Sequence, residues 1–416
     1  MAWGGGDDDR GRGVDGAYGS VPARPCGLGA RCAVTAAFDF ATAGRIMAGA
    51  GRAAELANLL PGLGSRALVC TGASPERHEQ LLGGLSMPTV VYPVVGEPTV
   101  SMARAATALG RGHRADVVVA IGGGSVLDVG KSVAMLLANG GDPLDYLEVI
   151  GAGRKITQPA APFVAVPTTA GTGAEVTANA VLASPSHGIK ASLRSPLMIP
   201  RVALVDPELT VSCPPRITAA SGMDALTQCL EPLVSPKATP LTDGLAAEGL
   251  RRCAHGLRAA YADGDDRDAR TDMAMCSLLG GIVLTNAKLG AIHGLAGVVG
   301  GTADVPHGVA CAALLIPVIE ANVRALAASE PNHPALARYA QAAQLLTGRT
   351  RASIEDGVAW IRDTLVLLEI PGLAAFGITA GHAEGIAAKA INSSSMQGNP
   401  AALTTRDLGD AVLQAL

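Results

Sequence analysis

Aromatic side chains are scarce in this chain: four Phe, five Tyr and two Trp make up 3% of 416 residues. Any core must therefore be filled by Ala, Val and Leu. Charge is sparse as well, 16% of residues with a formal net of −4, and that balance excludes the basic face a nucleic-acid partner normally requires. No uninterrupted apolar run approaches the roughly 20 residues of a bilayer-spanning helix, so no membrane partner is expected. The eight cysteines form no C-x-x-C pair, which argues against a zinc ribbon or a disulfide framework and for a reducing, cytoplasmic setting. The first residues carry Asp7-Asp8-Asp9 in place of the basic, apolar and small order of a secretory signal, so none is expected.

What is present is apolar and rich in small residues: 49% hydrophobic, with 52 Gly and 26 Pro. The length suits two domains. Residues 1–30 hold mostly Gly, Asp, Pro and Arg and are expected to form a disordered tail. From Thr35 onward short apolar runs alternate with helical stretches. Ala67–Thr71, Thr89–Val94, Asp116–Ile121, Phe163–Pro167 and Val202–Pro207 read as strands. Glu76–Leu85, Ser101–Leu109 with Ser101 as N-cap, and Val126–Ala138 read as helices. This alternation predicts a parallel, doubly wound sheet. Past Pro207 helical periodicity takes over, in Ile217–Leu233, Leu241–Tyr261, Arg270–Leu284, Leu314–Leu326, Pro334–Leu346, Ser353–Leu368 and Ala383–Ile391. The expected division is a nucleotide-binding α/β domain over residues 31–206 and a helical domain over 207–416.

Two features carry chemistry. Gly122-Gly123-Gly124-Ser125 follows a valine-rich strand and opens a helix. Bare backbone there can approach a pyrophosphate at the free N–H groups of the helix start. A tight strand-to-helix turn accounts for the same glycines equally well. The second feature is a set of polar residues in an apolar, small-residue setting. Asp224 and Gln228 lie one helical turn apart, and His293 and His307 stand fourteen residues apart. Together they make an oxygen and nitrogen donor set suited to a divalent first-row metal. Taken singly, each is as readily a helix cap, an ion-pair partner or a satisfied core histidine.

Six collinear stretches then make a resemblance: AIGGGSVLDVGKS (120–132), VPTTAGTGAEVT (166–177), VALVDPELT (202–210), GMDALTQCLEP (222–232), LGAIHGLAG (289–297) and VPHGVACA (305–312). With these, residues from about 35 to 416 resemble the iron-containing (group III) alcohol dehydrogenase family. The resemblance implies a dehydroquinate synthase-like fold, an N-terminal dinucleotide-binding domain and an all-α C-terminal domain with the active site between them. It implies NADP or NAD as cofactor, a divalent metal (Fe2+ first, Zn2+ second), an alcohol or aldehyde substrate and a homodimer. The family's metal-binding Asp falls on Asp224, and its second and third His fall on His293 and His307. Its first His falls on Gln228, a weaker amide-oxygen donor. Gly123, Gly124 and Ser125 match the pyrophosphate positions. Thr168, Thr169, Thr177, Asn179 and Lys190 match the nicotinamide–ribose end. Gly72 falls where an Asp would hold the adenosine ribose, and loss of that carboxylate favours NADP or dual use. Glu97 replaces a common Asn, and Gly297 stands where many members carry a proton-relaying His, leaving no catalytic residue assigned. Two other reactions of the same fold are implied as alternatives. One is a metal-independent maleylacetate-type reduction, which Gln228 favours and Asp224 disfavours. The other is sugar-phosphate cyclisation, a lyase reaction needing more Lys and Arg near the metal.

Overall fold

The computed structural model describes Met1 and residues 37–416. The tail expected over residues 1–30 lies, Met1 aside, outside the described residues. Eight strands follow in chain order: β1 Ile46–Ala48, β2 Ala67–Thr71, β3 Thr89–Pro93, β4 Val117–Gly122, β5 Phe163–Pro167, β6 Asn179–Ser184, β7 Ile189–Arg194 and β8 Val202–Val205. Six of them form one parallel sheet in the order β1-β8-β5-β4-β2-β3. β2, β4, β5 and β8 are buried on both faces. Hence they read as unbroken Val, Ala and Leu runs with no polar alternation.

The order of strands locates a crevice. From β2 the chain runs outward to β3 and then crosses back to place β4 on the other side of β2. The sheet's switch point therefore lies between β2 and β4, and ligands of such sheets bind beyond the carboxyl ends of the strands there. Gly72 follows β2 and Gly123-Gly124-Ser125 follows β4, so both expected cofactor turns flank this point.

Helix α1 spans Val100–His113 and α2 spans Gly124–Asn139. The expected cap Ser101 is a correction. Thr99 is the N-cap: its backbone is extended and its hydroxyl accepts from the Met102 N–H at 3.1 Å. Ser101 already lies inside the first turn, where a hydroxyl cannot reach a free N–H. The helix expected over Glu76–Leu85 is shorter too, a 3-10 turn over Pro75–His78 and then Glu79–Gly83. Gly83 and Gly84 end it, consistent with glycine's low helix propensity.

Beyond Pro207 the structure is helical: α3 Pro215–Val234, α4 Pro240–Ala262, α5 Arg267–Ala287, α6 Ala291–Thr302, α7 His307–Ser329, α8 Pro334–Thr347, α9 Ile354–Leu367, α10 Ala383–Ala390 and α11 Thr405–Gln414. They share one core that includes Leu226, Leu230, Leu250, Leu295, Leu314, Leu315 and Val412. α7 is long and apolar enough to cross a bilayer by length and composition alone, but 67% of its apolar window is buried inside the protein. It is a core helix.

Glycine governs how closely the helical layer meets the strand loops. Gly173 has a left-handed backbone (φ 58°), and a Cβ at Gly281 on α5 would strike its carbonyl. Likewise a Cβ at Gly308 would strike the Ala220 carbonyl of α3. These backbones touch because nothing stands between them. Gly281→Ala should therefore cost about 1–3 kcal/mol by overpacking, read as a lower urea midpoint. A midpoint equal to the parent's would show that the loop can yield.

Candidate metal and cofactor site

Helix α3 buries its residues from Gly222 to Val234 without a break. Asp224, Gln228 and Glu231 are thus polar groups sealed in an apolar layer, where each needs a partner. Helix α6 brings His293 to them. Its Nδ1 lies 2.7 Å from Glu231 Oε2, and its Nε2 lies 3.2 Å from Asp224 Oδ1. The other Glu231 oxygen accepts from the Ile292 N–H at 2.7 Å. Helix α7 begins at His307, whose Nε2 is 3.8 Å from the same Asp224 Oδ1. The two imidazole rings are 5.5 Å apart, tilted by 53°.

This convergence points to a cation. If the His293 Nδ1–H donates to Glu231, the neutral ring leaves a lone pair on Nε2. That lone pair faces a carboxylate oxygen, acceptor against acceptor. An imidazolium or a metal ion between them resolves the conflict, and a carboxylate on the far ring nitrogen is the usual way to orient a metal-binding histidine. The electrostatics agree in sign. Burial pushes the Asp224 carboxyl up, but His307, His293 and Gln228 outweigh it and hold it below its ordinary value. Burial lowers the His293 imidazole, and Cys311, Glu231 and Asp224 together raise it well above the ordinary range.

Cys311 is a member of the cluster that sequence reading missed. It lies one turn after His307 on α7, its Sγ 3.7 Å from His307 Nε2. The donor atoms of Asp224, His293, His307 and Cys311 all lie within 4.8 Å of one another. The i, i+4 spacing from His307 was the available signal. Gln228 sits beside the cluster and differs from the rest. Its buried Oε1 has no partner among the described residues and lies 3.4 Å from where a Cβ of Gly280 would be.

A cavity of about 330 Å³ connects the metal-type cluster to the sheet. Gly123, Gly124, Ser125 and Thr169 line one side, and Asp224, His307 and Gly308 line the other. Gly123 and Gly124 also serve packing, since a Cβ at either would press on Thr169 or Thr172. The remaining expected cofactor residues lie outside this lining. Gly72 borders open space, with nothing within 4 Å of an added Cβ. Thr168 donates its backbone N–H to the Gly122 carbonyl at 3.0 Å. Lys190 pairs with Glu97 at 2.9 Å.

Thr177 and Asn179 are engaged from below by Lys131, a second residue missed as a site element although its motif was noticed. Lys131 is fully buried on α2. Its Nζ donates to the Ala174 carbonyl, Thr177 Oγ1 and the Asn179 carbonyl at 2.8, 2.8 and 2.7 Å. It thereby ties the loop between β5 and β6 to the helix that opens at Gly124. Burial lowers its ammonium to about 8 despite Asp128 and Glu175. Asp128 accepts from the Val181 N–H at 2.9 Å and is pushed by burial to about 6. β6 and β7 form an antiparallel hairpin, two strands beyond those expected from the sequence.

A parallel sheet open at its switch point, facing helices that carry a carboxylate and two imidazoles, is the build of a dinucleotide-dependent metalloenzyme. The chain belongs to the iron-containing alcohol dehydrogenase family: the family description "Iron-containing alcohol dehydrogenase" matches residues 43–207, and "Fe-containing alcohol dehydrogenase family, C-terminal" matches residues 218–416. Among its relatives is Long-chain-alcohol dehydrogenase 1 of Geobacillus thermodenitrificans, 40% identical over 257 residues, or 62% of this chain and 63% of that protein. The match thus spans just under two thirds of that relative. A crystal structure of a 1,3-propanediol oxidoreductase superposes with a TM-score of 0.83 at 30% identity, covering 91% of this chain and 100% of the other. A sulfoacetaldehyde reductase of Bifidobacterium kashiwanohense, solved with NAD+, gives 0.80 at 28%, covering 91% and 98%.

Glu175 offers a test of the buried layer beneath the cofactor loop. Burial raises its carboxyl from 4.5 to about 7. Its protonated form is the one the fold prefers, so that contribution is present below about pH 4.5 and lost as pH rises through about 7. Glu175→Gln should gain stability over the parent progressively across that window, in denaturation curves at several pH values. A pH-independent difference would show that Glu175 ionises freely in the fold.

Proposed function

We propose that this chain is an NAD(P)-dependent oxidoreductase that interconverts an alcohol with its aldehyde or ketone at a divalent metal. The observation that carries the reading is the cavity shared by the Gly123-Gly124-Ser125 turn and by Asp224 and His307. It lets one small molecule meet both a dinucleotide and a cation. Kinship with the long-chain-alcohol dehydrogenase and with the reductase solved with NAD+ supports the same assignment.

In this reading Asp224, His293 and His307 hold the metal, with Gln228 beside them. Gly123, Gly124 and Ser125 receive the pyrophosphate at the start of α2, where unpaired N–H groups favour an anion. Thr168, Thr169, Thr177, Asn179 and Lys190 belong to the nicotinamide–ribose end, and Gly72 borders the adenosine ribose. A metal held by these residues would supply Lewis acidity toward the substrate oxygen, and a dinucleotide held at the glycine turn would supply the hydride acceptor or donor. The protein's own part is positional. Glu231 fixes the tautomer of His293, and Lys131 holds the cofactor loop. Gly297, with no atom within 4 Å of an added Cβ, leaves room for solvent to exchange protons. Val126, Ile217 and Ala220 give the cavity an apolar wall, suited to an uncharged carbon chain. The division into domains at residues 206 and 207, a homodimer and a cytoplasmic setting complete the proposal. Cyclisation of a sugar phosphate fits less well, because no Lys or Arg among the described residues lines the cavity.

A screen of alcohol oxidation and aldehyde reduction, with both cofactors and with or without added Fe2+ or Zn2+, tests this directly. Activity is expected to need the metal. Full activity after exhaustive chelation would transfer the chain to the metal-independent reductases. Cofactor choice has its own probe. Gly72→Asp, which has room for its carboxylate, should raise KM for NADP relative to NAD about tenfold, equivalent to roughly 1.4 kcal/mol. An unaltered ratio would remove Gly72 from the adenosine ribose.

A further inference from the structure

We infer that Cys311 is a ligand of the metal, supplying the fourth strong donor that Gln228 does not, and that the resulting carboxylate, two-imidazole and thiolate set favours Zn2+ over Fe2+. This rests on the metal reading above and goes beyond it by changing both the ligand set and the preferred ion.

Geometry is the first support. The four donor atoms of Asp224, His293, His307 and Cys311 lie mutually within 4.8 Å, a span that closes on one ion once the side chains draw inward, since each bond to it is only about 2.0–2.3 Å long. His307 and Cys311 come from consecutive turns of one helix, so a single rigid element presents a nitrogen and a sulfur to the same point. Gln228 is placed differently. Its side-chain oxygen Oε1 lies toward Gly280 on α5 and has no hydrogen-bond partner among the described residues. The residue that stands where the family has its first histidine is thus a neutral amide, a weaker donor than imidazole.

Burial is the second support. Asp224 and Cys311 are both buried, so neither donor is satisfied by water, and one cation between them serves both. Binding exchanges the thiol proton for the metal, and the proton leaves to solvent. Ligand character is the third. A thiolate is a soft donor that selects Zn2+ among the ions available to such sites, while oxygen donors do not. The exposed face of His307, whose side chain is 45% accessible, leaves the ion open toward the cavity.

The test uses the full-length protein stripped of metal and reloaded with Co2+ as a spectroscopic substitute for Zn2+. A sulfur-to-cobalt charge-transfer band in the near ultraviolet is expected in the parent, in Gln228→Ala and in Cys276→Ala, and its absence in Cys311→Ala. Zn2+ affinity of Cys311→Ala should fall by more than the roughly 100-fold that losing an orienting partner can cost, and adding Gln228→His should recover much of it. Should Cys311→Ala not fold, X-ray absorption at the zinc edge of the parent replaces it, with one sulfur expected at about 2.3 Å. Stoichiometric Co2+ binding without the band, or a zinc shell of nitrogen and oxygen alone, would overturn the inference and leave the metal reading standing. Failure to bind Co2+ or Zn2+ at all would overturn both.

Discussion

Everything at the site depends on backbones that touch where side chains are missing. Gly173 meets Gly281, Gly308 meets the Ala220 carbonyl, and Gly290 meets the Glu231 carboxylate. The first contact seats the cofactor loop against α5. The second sets the start of α7, and with it His307, against α3. The third sets the start of α6, and with it His293, against Glu231. A methyl group at Gly308 would strike the Ala220 carbonyl and push the start of α7, and with it His307, off α3, where donor constellations need positions held to about 0.5 Å.

The polar groups gathered by these contacts make two buried layers with different work. Around Asp224 the acidic and imidazole groups converge on one point and leave it short of positive charge. Around Lys131 they do the opposite: one ammonium satisfies three acceptors at once and closes the loop beneath the cavity. The first layer calls for a ligand and the second is complete in itself. That contrast explains why Thr177 and Asn179 are held fast where β5 leads into β6 although neither lines the cavity.

Legibility in the sequence followed the strength of the local signal. The buried strands were plain because a parallel sheet covered on both faces demands unbroken runs of Val and Ala. The hairpin of β6 and β7 was not, because its short alternation of small residues resembles a polar loop. Helix α6 was hidden by four glycines in twelve residues, AIHGLAGVVGGT, a composition that disfavours helix in isolation and is overridden by burial of Ile292, Leu295 and Val299. The start of α7 was placed at Leu314, seven residues late, because Gly308 interrupts the pattern. Asp224 and the two histidines stood out as polar groups in apolar surroundings. Cys311 did not, since a buried thiol looks like any small hydrophobe until its neighbours are known.

The sequence alone determined what depends on local order: the alternation of strands and helices, the change to an all-helical second half, the glycine turn after β4 and the motifs of the iron-containing alcohol dehydrogenase family. Only the tertiary structure decided which donors meet. His293 on α6 and His307 and Cys311 on the adjoining α7 are brought to Asp224 by the packing of these two helices on α3, which is distant in the chain, and Glu231 is assigned to His293 by the same packing. Donor geometry is a property of distances across the core, and no spacing along the chain encodes those.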